Sequence, residues 1–179
     1  MRQTGFTIVE LVVVMVLFGI LVATTLPRFM DIDDDAHQAA FEDVLGRLQG
    51  GVALYHATAT ATGTAANGIP PPDDFAGLRS NADGYPYGSD DNSGSGSDVA
   101  DSDDCGAVFR NLQQATAPTV TNSSTQANVS SDGAGFHYTA VFDAGDCVYY
   151  YTAEALTGTV RTMTYDPATG QVSAGTATL

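Results

Sequence analysis

Residues 6–26 read FTIVELVVVMVLFGILVATTL, and this stretch decides the architecture. It holds 21 residues with a single ionisable side chain, Glu10. At helical rise it spans about 31 Å, which matches a bilayer core of roughly 30 Å. A lone segment in lipid satisfies its backbone polar groups only as a helix, so the stretch predicts one transmembrane helix. A removable secretory signal has a longer basic start, a shorter apolar run and a small-x-small cleavage site. Here Pro27-Arg28-Phe29-Met30 follows instead, and helical periodicity continues. Arg2 and the α-amine precede the span and all 18 aspartates follow it. That asymmetry predicts a cytoplasmic N-terminal stub with the remainder outside.

Glu10 requires explanation. An ionised carboxylate in such a span costs on the order of 3 kcal/mol, and an acid at that depth calls for a partner. The span supplies no Lys, Arg or His. If the chain is cut between Gly5 and Phe6, the new α-amine lies about one turn away. A neighbouring copy's amine would serve equally and would couple charge pairing to assembly. The other reading is a Glu10 that is protonated or reaches the membrane interface.

The 179 residues allow one domain of ordinary size plus an appendage. Six Arg and no Lys stand against 21 acids, for a net charge of −15. Phosphate binding needs a cationic footprint, so nucleic acid is not expected as a partner. His37, His56 and His137 are scattered, with no ligand spacing. No nucleophile–base arrangement or G-x-S-x-G motif is present, so the chain does not read as an enzyme. Asp33-Asp34-Asp35 reads as a solvated helix face whose consecutive side chains diverge.

After the span the helical pattern runs on to about Thr58. Phe29, Ile32, Ala36, Ala40, Val44, Leu48, Val52 and Tyr55 form one face, predicted to pack on a globular part. Asp31, Asp35, Gln38, Glu42 and Gln49 populate the other. Gly46, Gly50 and Gly51 weaken the helix and suggest close packing or a bend. The Thr/Ala tract 58–66 and Asn67-Gly68-Ile69-Pro70-Pro71-Pro72 are expected to end it. Residues 73–80 have room for one or two helical turns. Residues 81–104 are Gly/Ser/Asp-rich and read as a loop. Asp104 is the expected N-cap of a short helix carrying Cys105, Val108, Phe109 and Leu112 on one face.

Residues 115–135 read as a further polar stretch. Two hairpins then follow: 136–142 with 147–152, and 159–165 with 172–178. Phe136, Tyr138, Phe142, Tyr149 and Tyr151 are strand formers expected to cover the helix stripe. The fold class is therefore α+β, a long N-terminal helix on a C-terminal antiparallel sheet. Cys105 and Cys147 are the two thiols of the chain. On the oxidising side of a membrane a disulfide is the default; two free buried thiols are the alternative.

Asp90, Asp91, Asn92, Asp98, Asp101, Asp103 and Asp104 offer hard oxygen ligands and make Ca2+ the metal to consider. The spacing matches no EF-hand, and an acidic solubilising loop explains the same residues. No other cofactor is expected.

Gly5-Phe6-Thr7-Ile8-Val9-Glu10, the apolar run and Pro27 resemble the class III signal of type IV prepilins and pseudopilins. Pro27-Arg28-Phe29-Met30-Asp31-Ile32-Asp33-Asp34-Asp35-Ala36, Leu48-Gln49-Gly50 with Tyr55, Asp83-Gly84-Tyr85-Pro86 and Cys147-Val148-Tyr149-Tyr150-Tyr151-Thr152 look like the MSHA (mannose-sensitive haemagglutinin) pilin branch. The long Asp/Ser/Gly loop and the absence of Lys depart from that branch. The resemblance implies that a prepilin peptidase cuts after Gly5 and N-methylates Phe6. It implies that Glu10 pairs with a neighbour's N-terminus and that Pro27 marks a bend or melted turn. The segments are then a leader (1–5), a transmembrane assembly helix (6–27), an amphipathic half-helix (28–58) and a globular head (59–179). The implied partners are identical subunits, an assembly platform with its ATPase, and the inner membrane that holds the precursor. The implied function is a subunit of a type IV pilus filament. A type II secretion pseudopilin or a minor pilin is the alternative.

Overall fold

The computed structural model describes residues 7–63, 75, 77–89, 101–113 and 117–179, with side chains left aside for 26–31. The chain divides into two compact units, Met1–Ala40 and Phe41–Leu179. Helix α1, Ile8–Thr62, passes from the first into the second. In the first unit every side chain from Ile8 to Thr25 is exposed. Thr24 and Thr25 donate their hydroxyls to carbonyls one turn back, Leu21 for both, so neither hydroxyl is left unsatisfied in an apolar segment.

In the second unit α1 buries Phe41, Val44, Leu48, Val52, Tyr55 and Ala59. The spacing is three or four residues throughout, the period of one helix face. The expected stripe is corrected at its start. Ile32 is 60 % exposed and Ala36 and Ala40 are exposed, so burial begins at Phe41. The helix also outlasts its expected end near Thr58. Thr58 and Thr62 donate their hydroxyls to Leu54 O and Thr58 O, which folds the threonines into the helix instead of breaking it. Gly63, with φ of 70°, closes it, a conformation that costs glycine little.

The remaining elements are β1 (Arg79–Ser80), β2 (Pro86–Gly88), α2 (Ser102–Gln113), β3 (Val120–Ser123), a 3-10 turn (Gln126–Asn128), α3 (Val129–Asp132), β4 (Tyr138–Asp143), β5 (Asp146–Tyr151), β6 (Thr159–Asp166) and β7 (Gln171–Thr178). Strands β1 and β2 form a small antiparallel pair; the main sheet has the order β3-β4-β5-β6-β7. Both expected hairpins are present, each within about two residues of its expected bounds. The sheet is not wholly antiparallel, because β3 adds to β4 in parallel. The stretch 115–135 therefore holds a strand and two short helical turns, and 79–80 and 86–88 are strands instead of helix and loop.

The core lies between the helix stripe, α2 and the inner sheet face. Tyr55, Tyr138, Tyr149, Tyr165, Phe109 and Met163 are fully buried there. Phe109 sits against both Tyr138 and Tyr149, with ring centroids 5.0 and 4.9 Å apart. Phe136, expected in this layer, is 40 % exposed. A second cluster on the opposite sheet face joins Val129 of α3 to Val141, Tyr150 and Val160. Gly51 permits the approach of α2: a Cβ there would lie 3.0 Å from Leu112 Cβ and O. Gly46 and Gly50 face open space.

Candidate assembly site

The head of α1 is closed by its own side chains. The Thr7 N–H and hydroxyl both donate to Glu10 Oε2, at 3.1 and 3.0 Å. The Thr7 hydroxyl oxygen accepts from the Glu10 N–H at 3.3 Å. This reciprocal arrangement is a capping box, with Thr7 at the N-cap and Glu10 at N3. The signature Thr7-Ile8-Val9-Glu10 is legible in the sequence as an N-cap threonine three residues before a glutamate. The carboxylate also stands at the positive end of the helix dipole. Glu10 therefore has a partner within its own chain, and its position does not depend on an incoming amine. What the amine would add is charge.

Around this carboxylate the surface is apolar. Ile8 is 82 %, Val9 71 % and Phe18 64 % exposed, and Ile8–Thr25 is long and apolar enough to cross a membrane. Exposed apolar area on this scale carries a cost of about 25 cal/mol per Å² in water, so the segment needs lipid or other helices around it. Gly5 and Phe6 lie outside the described residues. The helix continues through Pro27 in its backbone.

The head is stapled where the sequence indicated. Cys105 of α2 and Cys147 of β5 are bonded, 42 residues apart and fully buried. Tyr149, two residues on, donates its hydroxyl to Cys105 O at 3.0 Å. Asp101, not Asp104, caps α2: its Oδ1 accepts from the N–H groups of Asp103 and Asp104 at 2.9 and 3.1 Å. The cap falls one turn earlier because Asp104 is drawn inside and packs against Gly88.

Of the calcium candidates, Asp101 and Asp103 line a cleft of about 330 Å³ with Ser102, Asn122, Ser123, Ser124 and Phe142. One oxygen of each is engaged: Asp101 Oδ1 by the cap, and Asp103 Oδ1 by Asn122 Nδ2 at 2.6 Å. Among the described residues no three acidic, His or Cys side chains cluster as a metal site. Asp90, Asp91, Asn92 and Asp98 lie outside them.

Burial sets the electrostatics of the head. It pushes Tyr55 up to about 12, against the opposing bond to Ser80, and raises Tyr138 and Tyr149 further. Asp146 at the β4–β5 turn is raised by burial and then by the charges of Asp166 and Asp143. Asp166 is lowered, because Thr169 donates its hydroxyl to it at 2.6 Å and the N–H groups of Ala168 and Thr169 also point at it.

Residues 1–26 match the prokaryotic N-terminal methylation motif. The chain is also similar to the type IV narrow pilus major component PilA5 of Thermus thermophilus, 43 % identical over 63 residues. That alignment covers 35 % of this chain and 53 % of the relative, so the chain spans about half the length of the curated relative it matches. No solved structure matches. Neither match selects the MSHA branch. A methylation motif at the head of a long apolar helix, an α+β fold with a mostly antiparallel sheet, and a pilus component as relative point one way: over its N-terminal part the chain is similar to type IV pilins.

Proposed function

We propose that the chain is a structural subunit that polymerises into a type IV pilus filament for attachment or motility. The observation that carries this reading is the uncovered apolar stretch Ile8–Thr25 with Glu10 at its head, lying within the matched methylation motif of residues 1–26. A surface of that kind suits lipid before assembly and sister helices afterwards. The precursor is read as an inner-membrane protein with a cytoplasmic N-terminus, held there until a prepilin peptidase removes residues 1–5 and methylates Phe6. An assembly platform and its ATPase then extract it. The type II secretion pseudopilin is not favoured, since the similar relative is named as a pilus component. Calcium in the acidic loop is kept as a proposal, resting on the oxygen-rich residues 90–104.

The test is made on cells. Mass spectrometry of material sheared from the surface should give a chain beginning at methylated Phe6. Glu10→Val should leave normal precursor in the membrane with few or no filaments in the sheared fraction. An intact Met1 in that fraction, or filaments at wild-type level from the variant, would overturn the reading.

A further inference from the structure

Among the described residues strand β7 ends the main sheet with no further strand beside it, and its pairing with β6 decides which of its backbone groups point away. Leu179 and Gly158 exchange both hydrogen bonds, at 2.9 and 3.4 Å. Residue 179 therefore faces β6, and so, by the alternation of an antiparallel ladder, do 177, 175, 173 and 171. The N–H and C=O groups of Val172, Ala174, Thr176 and Thr178 face outward.

The strand lacks the usual protections of an edge. Gln171–Thr178 contains no charge and no proline, its register with β6 has no bulge, and residues 173–176 are exposed. An edge of this kind is a template for another strand. Yet two of its four outward carbonyls are occupied. Gln49 of α1 donates Nε2 to Val172 O at 3.1 Å. Gln126 of the 3-10 turn donates Nε2 to Thr178 O at 2.9 Å. These are the first and last outward carbonyls, reached by two glutamines from unrelated parts of the chain, 123 and 52 residues away. Among the described residues, only 174 and 176 keep both outward groups without a hydrogen-bond partner. An added strand would find complete donor–acceptor pairs only at 174 and 176, at the short end of the range for strands in globular proteins.

We propose that Gln49 and Gln126 are edge plugs. They close β7 to strand addition by a second copy of this chain, so that copies meet through other surfaces. The inference does not rest on polymerisation, because it concerns any crowding of heads at a membrane.

The experiment uses the full chain in detergent micelles. Gln49→Met and Gln126→Met keep side-chain length and delete both donors. The double variant should sediment as larger species than the wild type at equal concentration, and the N–H groups of Ala174 and Thr176 should exchange more slowly. Adding Ala174→Pro removes one outward N–H and should restore the wild-type size. An unchanged size and exchange rate in the double variant would overturn the proposal. So would association that Ala174→Pro fails to reverse, or a wild-type species that Ala174→Pro alone makes smaller.

Discussion

Thr7 and Glu10 hold one another at the first turn of α1, the hydroxyl and N–H of one against the carboxylate and N–H of the other. Two explanations of Glu10 thereby become separable. As a cap it needs only an acceptor oxygen, which glutamine also supplies. As a counter-charge for an incoming amine it needs ionisation.

Glu10→Gln is the substitution that distinguishes them. The cap is retained and the charge is lost. If charge pairing drives assembly, Glu10→Gln should resemble Glu10→Val, with precursor in the membrane and filaments reduced by at least tenfold in sheared fractions. Wild-type filament levels in Glu10→Gln, with loss in Glu10→Val, would assign the residue to helix capping instead. Immunoblots of the two fractions read the difference.

The buried tyrosines make a graded set. Tyr55 bonds Leu78 O and Ser80, Tyr149 bonds Cys105 O, and Tyr165 donates to Pro86 O at 2.7 Å. The Tyr138 hydroxyl is buried with no hydrogen-bond partner among the described residues. Replacement by Phe at 55, 149 or 165 should cost about 1–2 kcal/mol, since an acceptor is left unpaired. Tyr138→Phe should be neutral or stabilising. Thermal unfolding of the four variants gives the ranking, and a Tyr138→Phe loss equal to the others would refute it.

Asp146 and Asp166 should give opposite pH signatures. The raised pKa of Asp146 means that its charge opposes folding at neutral pH, and this penalty fades as pH falls through the folded value. Asp146→Asn should therefore raise Tm at pH 7, with the gain shrinking in acid. The lowered pKa of Asp166 means that its charge favours folding above the ordinary carboxylate range, a benefit lost as pH falls through the folded value. Asp166→Asn should lower Tm at pH 7 and lose that effect in strong acid. Melting curves from neutral to acidic pH decide both.

The three glycines of α1 should not respond alike. Gly46 and Gly50 face open space, so replacement by Ala should stabilise the isolated chain by about 0.5–1 kcal/mol each. Gly51→Ala must displace the α2 backbone at Leu112 and should destabilise it. Denaturant titration of each variant checks the sign.

The Cys105–Cys147 bond should leave no thiol to alkylate in the denatured, unreduced protein. The chain-entropy account gives about 4 kcal/mol for a loop of this length, so reduction should lower the denaturation midpoint sharply. Labelling of both cysteines before reduction would refute the bond in the native protein.

The periodic and turn-bounded parts of this fold were legible in the sequence. Val44, Leu48, Val52 and Tyr55 follow a helical repeat, and both hairpins carry their strands on either side of Gly-containing turns. What failed was decided by distant partners. Val120-Thr121-Asn122-Ser123 has no alternation of its own and is a strand because β4 lies beside it. Ile32 and Phe41 are equally apolar, and the sequence does not say that burial starts at the second. The threonines at 58 and 62 look like breakers until their hydroxyls are followed to the preceding turn. Gln49 was placed on the polar face correctly, but its bond to Val172 spans 123 residues. Of the candidate site, Glu10 stands out in the sequence by its setting in an apolar span, while the cap by Thr7 shows only once its hydrogen bonds to Glu10 are seen.

Strands β4 to β7 pair strictly in the order in which they are synthesised, whereas the helix face they cover is made some eighty residues earlier. Local meanders of this kind form quickly, and long-range closures slowly. Folding of the head should thus run backwards along the chain, with the late hairpins forming first and the face at Phe41, Val44 and Leu48 covered last. Until Tyr138 and Tyr151 arrive, Phe41 and its neighbours remain bare on the helix.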